Sequence, residues 1–163
     1  MRPLLLIAGL ALLVGCSSSQ PAPGVRYTQS LRLAIDSEVN PYGEGDSHPV
    51  VLRLYQLSES GAFQNAPFIE LYRQERELLG ASLIDVLHLP PQLPGREQRL
   101  DLDLKQQTRY LAVLAEFADY GNASAKALLP LDAEPAEEPI LIHVSGLRVS
   151  ISMEPASPWW KVF

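Results

Sequence analysis

The sequence predicts an all-β fold, a β-sandwich of about eight strands that carries a short helical insertion. The 163-residue chain contains several short runs in which apolar and polar residues alternate, and this period of two is typical of half-buried strands. Its 14 prolines and 10 glycines are distributed between these runs, where they favour turns. One segment between the runs has the spacing of a helix instead. Many short strands separated by turns are typical of a sandwich.

The N-terminus has the pattern of a secretory signal. Arg2 supplies a positive charge, residues 4–14 are apolar, and Gly15 precedes Cys16, the only cysteine of the chain. The apolar run is much shorter than the roughly 20 residues of a membrane-spanning helix. Residues 13–16 resemble the lipobox of bacterial lipoproteins, which implies cleavage before Cys16 and a covalent lipid on its sulfur. The alternative is an ordinary signal peptide that ends beside a chance cysteine.

The chain is predicted to have four parts. These are a lipoprotein signal peptide at residues 1–15, the lipidated cysteine and a flexible tether at 16–24, a β-sandwich domain at 25–154 and a C-terminal tail at 155–163. The tether is small, polar and rich in proline, so it cannot build a core. The tail contains Trp159 and Trp160, to which the sequence assigns no role.

The first two strands of the domain are predicted from alternation. In the first, the apolar positions are Leu31, Leu33 and Ile35. In the second, Val50–Leu57, we expect Leu52 and Leu54 on the core side, opposite Arg53 and Tyr55.

A long loop, Glu38–Pro49, separates these two strands. It contains two prolines and two glycines, and it is longer than the usual hairpin connection of about 2–5 residues. Long loops on rigid sandwiches are common binding sites, although this one could also be a simple connector. Within it, Tyr42 is the best candidate for an anchor side chain.

A short helix is predicted after the second strand. Phe63, Phe68, Leu71 and Tyr72 suit its apolar face, with Pro67 in its first turn and Gly80 at its end. The charged residues of the segment are expected on a solvated face, and they include Glu70, Arg73, Glu75, Arg76 and Glu77.

Six further runs complete the eight strands. They are Leu83–Leu89, Leu100–Leu104, Arg109–Phe117, Ala125–Leu131, Ile140–Ser145 and Leu147–Met153. The run Arg109–Phe117 is nearly continuously apolar and would also suit a buried helix. Its neighbours favour a central strand that is covered on both faces.

Composition and spacing argue against several classes of function. A formal net charge of −6 is a poor match for nucleic acid. His48, His88 and His143 are far apart and have no metal-ligand spacing. Asp101 and Asp103 alternate with leucines and are expected on a solvated strand face rather than in a catalytic pair. The sequence thus predicts a protein that is not an enzyme, with no cofactor apart from the covalent lipid on Cys16.

Several stretches together resemble the TssJ family (also called SciN or VasD), the outer-membrane lipoproteins of the type VI secretion system. They are Leu13–Cys16, Val39–Pro41, Pro49–Leu57, Phe63, Ala66–Tyr72 and Leu93–Gly95. The most specific piece is the strand Pro49–Leu57 followed by the helical sequence Phe68–Tyr72. The similarity extends over essentially the whole chain, although residues 119–140 contain little that is diagnostic.

The resemblance implies a transthyretin-like β-sandwich without catalytic activity. It implies binding to the periplasmic C-terminal domain of TssM, which works with TssL in the envelope-spanning complex. It also implies that Cys16 anchors the protein in the periplasmic face of the outer membrane. It places the partner contact in the loop between the first two strands, here Val39, Asn40, Pro41, Tyr42, Gly43, Glu44, Gly45, Asp46, Ser47 and His48. Analogy of fold also leaves open a periplasmic carrier of a small apolar ligand.

Overall fold

The computed structural model describes residues 24–153, so the predicted signal peptide, Cys16 and the tail lie outside the described residues. Eight strands and two helices form this part of the chain. The strands are β1 (Val25–Val39), β2 (Val51–Leu57), β3 (Leu83–His88), β4 (Glu97–Lys105), β5 (Tyr110–Glu116), β6 (Lys126–Pro130), β7 (Ile140–Gly146) and β8 (Arg148–Met153). The helices are α1 (Gly61–Asn65) and α2 (Phe68–Leu79). All eight predicted strands are present.

The strands form two four-stranded sheets that pack as a sandwich. The first sheet has the order β4-β1-β7-β8 and the second has the order β3-β2-β5-β6. The long strand β1 pairs antiparallel with β4 and parallel with β7. It is longer than the alternation predicted, because it begins at Val25 directly after the predicted tether.

The core lies between the two sheets and is built from their inward-facing aliphatic side chains. Leu31, Leu33 and Ile35 of β1 meet Leu52 and Leu54 of β2 there, as predicted. Asp101 and Asp103 of β4 are exposed, whereas Leu102 and Leu104, which alternate with them, are buried. The predicted solvated face of this strand is therefore confirmed.

A third layer covers the outer face of the second sheet. Phe63 of α1 and Leu71 and Leu79 of α2 pack against Tyr55 and Leu114, which point away from the sandwich interior. This layer buries both faces of β5, and the prediction of a doubly covered central strand is confirmed. Lys126 of β6 fastens the layer to the sheet by donating hydrogen bonds to carbonyl oxygens at the end of α1.

Two predictions about the helical insertion are wrong. The insertion contains two helices and a short 3₁₀ turn, Gly80–Ser82, instead of one helix. Pro67 directly precedes α2 rather than lying in its first turn, because its extended backbone separates the two helices. The helix α2 ends at Leu79, and Gly80 follows it, as predicted. Neither helix in the described part of the chain has the length and apolar character needed to span a membrane.

Leu54→Ala is expected to lower the free energy of unfolding by about 3 kcal/mol, since the side chain is fully buried between the sheets and its removal leaves a cavity. Asp101→Ala, on the exposed face of β4 in the other sheet, is the control, and we expect it to change stability by less than about 0.5 kcal/mol. Urea denaturation of residues 24–153 measures both values. A large loss at Asp101 would mean that this carboxylate has a role beyond the surface.

Candidate docking surface

The loop between β1 and β2 ends in a tight, exposed tip. The amide of Tyr42 donates a hydrogen bond to the carbonyl oxygen of Asp46 at 3.2 Å, which closes the tip. Gly43 and Gly45 have φ angles of +69° and +98°, a region that residues with a side chain rarely adopt. The tip therefore has a defined shape.

Asn40 holds the base of the loop. Its buried side-chain amide donates to the carbonyl oxygen of Pro49 at 2.8 Å and accepts from the amide of Ala118 at 2.8 Å. Its own backbone amide donates to the carbonyl oxygen of Gly146 at 2.8 Å. The φ angle of Asn40 is +49°, which asparagine tolerates better than most residues. One side chain thus joins the loop to the turn that follows β5.

The predicted contact residues divide into a buried base and an accessible tip. Val39 and Asn40 are buried, and the hydroxyl of Ser47 accepts a hydrogen bond from the amide of Val39 at 3.3 Å. Pro41 and Ser47 are half-buried. The residues that a partner can reach most easily are Tyr42, Gly43, Glu44, Gly45, Asp46 and His48. Tyr42 is 62% exposed, the largest value among the exposed large hydrophobic side chains of residues 24–153.

A shallow groove runs beside the tip. Its walls are Pro41 and Tyr42 on the loop, Ala118 and Asp119 after β5, and Leu147 between β7 and β8. The volume is about 380 Å³. The loop and the neighbouring turn thus form one continuous surface.

An ion-pair network that the sequence did not predict joins β2, β5 and α2. The guanidinium of Arg53 contacts Glu116 at 2.5 Å and Glu75 at 2.9 Å. Glu75 also accepts hydrogen bonds from the hydroxyl of Tyr55 at 2.7 Å and pairs with His88 at 2.9 Å. The expectation that Glu75 lies on a solvated face is wrong, because its side chain is only 12% exposed and points to the sheet. A break of helical geometry at Gln74 immediately precedes it.

The charges in this network stabilise one another. Burial alone raises the pKa of Glu75, but hydrogen bonds from Tyr55, Arg53 and His88 outweigh it and hold the pKa below its ordinary value. Burial and the bond to Glu75 raise the pKa of Tyr55, so its hydroxyl remains a donor at neutral pH. Burial by itself would lower the pKa of Arg53. The effect of its two carboxylate partners is larger and raises the pKa above its ordinary value, so the guanidinium stays charged.

The other titratable groups singled out from the sequence are dispersed. His88 pairs with Glu75, His143 contacts Asp36 at 2.9 Å, and His48 lies on the loop. Within residues 24–153 no group of three or more His, Cys, Asp or Glu side chains is arranged to hold a metal ion. The three histidines therefore lie at separate places in the fold and do not form a common site.

Comparison with known proteins decides the family. Residues 28–147 match the family model described as type VI secretion lipoprotein, VasD, EvfM, TssJ, which is well over half of the chain. The chain belongs to the TssJ family. No curated protein sequence matches it.

Solved structures agree with membership of the TssJ family. The T6SS lipoprotein TssJ1 from Pseudomonas aeruginosa is 26% identical with a TM-score of 0.71, over 80% of this chain and 98% of that one. A chain from a structure described as a type VI membrane complex is 25% identical with a TM-score of 0.68, over 78% and 98%. A chain from a structure described as the T6SS protein TssM C-terminal domain from EAEC is 23% identical with a TM-score of 0.61, over 79% and 98%, and this match shows the fold alone. This TssJ-family chain thus has the predicted sandwich fold.

Proposed function

We propose that this chain is a non-catalytic outer-membrane lipoprotein that anchors the type VI secretion membrane complex. It binds the periplasmic C-terminal domain of TssM through the loop Glu38–Pro49, and it is linked to TssL indirectly. The observation that carries the proposal is the tip itself, an exposed Tyr42 on a turn whose base is fixed by Asn40.

The tip is suited to docking for two physical reasons. An exposed tyrosine can fill an apolar pocket while its hydroxyl forms a hydrogen bond, and tyrosines are common among residues that dominate binding energy. A loop that already has its bound shape loses less conformational entropy when it docks. Glu44 and Asp46 flank the tyrosine at the rim, where charges tune association rate and salt dependence more than affinity.

The comparisons support a role in the type VI secretion membrane complex. The family is one of type VI secretion lipoproteins, and a chain from a structure described as a type VI membrane complex has the same fold at 25% identity. In the sequence, Cys16 follows a lipobox and is followed by Ser17 rather than Asp, which by resemblance to lipoprotein sorting favours the outer membrane. We therefore propose the periplasmic face of that membrane as the location.

The alternative of a carrier for a small apolar ligand receives no support from the described residues. The side chains between the sheets fill the interior as a core. A cleft of about 680 Å³ is lined by Arg26, Ser58, Glu59, Gln106, Gln107 and Arg109. Such a polar lining is the wrong chemistry for an apolar ligand, which needs mostly hydrophobic walls.

Replacing residues 42–46 with a Gly-Ser linker is expected to abolish binding to the TssM periplasmic domain, because the anchor and the rim charges are lost together. The melting temperature should stay within about 2 °C of the wild type, since Asn40, Ser47 and Pro49 at the base are kept. Calorimetric titration and thermal unfolding of residues 24–153 give the two readings.

The matched control replaces residues 133–135, another exposed loop, with the same type of linker. That loop lies beside Gln29, far along β1 from the proposed contact. The control variant should bind like the wild type. Wild-type affinity in the tip variant would refute the loop as the contact, and no binding by the wild-type domain would refute the partner.

A further inference from the structure

Three aromatic side chains stack beside the loop, and we call them the aromatic row: Tyr72, Phe68 and Tyr120. The rings of Tyr72 and Phe68 are 6.0 Å apart with an interplanar angle of 14°. The rings of Phe68 and Tyr120 are 4.9 Å apart at 15°. The row joins α2 to the turn after β5, two segments that are distant in sequence.

The two ends of the aromatic row are exposed, and Phe68 between them is half-buried. Tyr72 is 45% exposed and Tyr120 is 47% exposed. Together with Tyr42, they are the three tyrosines among the exposed large hydrophobic side chains of residues 24–153. Isolated exposed apolar residues need no explanation, but a stacked row of them beside a groove indicates an interaction surface.

The row is continuous with the loop surface. A groove of about 350 Å³ is lined by the row, by Ile69, Phe117 and Ala118, and by the polar residues Asn40 and Glu116. Ala118 also lines the groove beside Tyr42. The backbone of Ala118 is the group that Asn40 holds, so the same side chain fixes the loop and the boundary between the two grooves.

The aromatic row is also supported from below. The guanidinium carbon of Arg53 lies 4.9 Å from the centre of the Tyr72 ring, within the range of a cation–π contact. Arg53 is itself held between Glu75 and Glu116. Because the ring is held before any partner arrives, little side-chain entropy remains to be lost on docking.

We propose that the aromatic row is the second half of the docking surface. It seats an apolar segment of the same TssM periplasmic domain whose other part contacts the loop tip, so the inference rests on the proposed function. The tyrosines supply flat apolar area, and Asp119, next to Ala118, gives the boundary between the halves negative charge. The complementary segment therefore carries an aliphatic or proline side chain over the row and a lysine or arginine near Asp119.

Tyr120→Ala tests the proposal. We expect it to weaken binding of the TssM periplasmic domain by roughly tenfold or more, as loss of a central aromatic contact typically does. Tyr120→Phe should bind within about twofold of the wild type, because it keeps the ring. Leu87→Ala is the control, since Leu87 is similarly exposed but lies on the edge strand β3 and lines neither groove.

A photo-crosslinking phenylalanine analogue at position 120 gives a second measurement that preserves the ring and does not depend on truncation. It should crosslink to the TssM domain, whereas the same analogue at position 87 should not. The role of the aromatic row would be overturned if Tyr120→Ala bound with wild-type affinity and the analogue at position 120 gave no crosslink. If the tip variant still lost binding in that case, the proposed function would remain intact. No binding by the wild-type domain would instead remove the proposed function and this inference with it.

Discussion

Arg53→Met is expected to lower the free energy of unfolding by about 3–5 kcal/mol, because it leaves two carboxylates facing each other in a poorly solvated site. Glu75 and Glu116 both depend on the guanidinium for compensation, and the side chain of Arg53 is only 11% exposed. The methionine retains most of the apolar volume, so the loss reports on charge more than on packing. Urea denaturation of residues 24–153 at pH 7 measures it.

Two controls separate charge from packing in this prediction. Glu97→Gln breaks the surface pair with Arg32 and should cost less than about 1 kcal/mol. Adding Glu75→Gln and Glu116→Gln to Arg53→Met should restore much of the stability, because no unpaired charge then remains. An undiminished loss in the triple variant would contradict the electrostatic explanation.

The same network predicts a dependence on pH. The pKa of Glu75 is lower in the folded state than in the unfolded chain, so its contribution is fully present above the unfolded value of about 4.3 and is lost as the pH falls through the folded value. Below this range Glu75 is protonated. The difference between the wild type and Arg53→Met should therefore shrink as the pH falls below about 4.

Cys16→Ser is expected to abolish lipid labelling and to release the protein from the outer-membrane fraction. The thiol is the proposed acceptor of the lipid, and at about 0.8 kcal/mol per buried CH₂ two or more acyl chains hold a protein stably on a membrane. Type VI secretion should fail in this variant. Metabolic labelling with a palmitate analogue and membrane fractionation provide the measurements.

The isolated domain is the control for the cysteine substitution. Residues 24–153 contain the sandwich core, so a soluble form that lacks the signal should fold and bind the TssM domain as before. If full-length Cys16→Ser still fractionated with the outer membrane, the proposed anchor would be wrong.

Alternation made most of the sandwich predictable. A strand with one face in the core and the other in water has alternating apolar and polar residues in its sequence. In β4 the leucines face the core and the aspartates face the solvent. The helical layer was harder to predict. Tyr55 lies on the same strand face as Arg53, yet the helical layer buries Tyr55 completely. No residue near Tyr55 in the sequence indicates that helices cover this face of the strand.

The loop was predictable and the rest of the candidate surface was not. Prolines and glycines mark Glu38–Pro49 as a break between two strands, and its length suggested a role. The Arg53 network depends on partners 22 and 63 residues away, which charge patterns along α2 cannot identify. Tyr120 lies in a stretch with no periodic signal, and only the tertiary structure brings it against Phe68.

The single strand β1 runs from the end of the predicted tether to the start of the loop, 15 residues or roughly 45 Å. A lipid that pulls at one end and a partner that pulls at the other would place the chain under tension along this strand. The hydrogen bonds to β4 and β7 lie across that direction. The backbone of β1, which is already extended, would itself carry this tension, so the hydrogen bonds across it need not break. The topology therefore makes β1 a direct mechanical link between the proposed lipid anchor and the proposed docking loop.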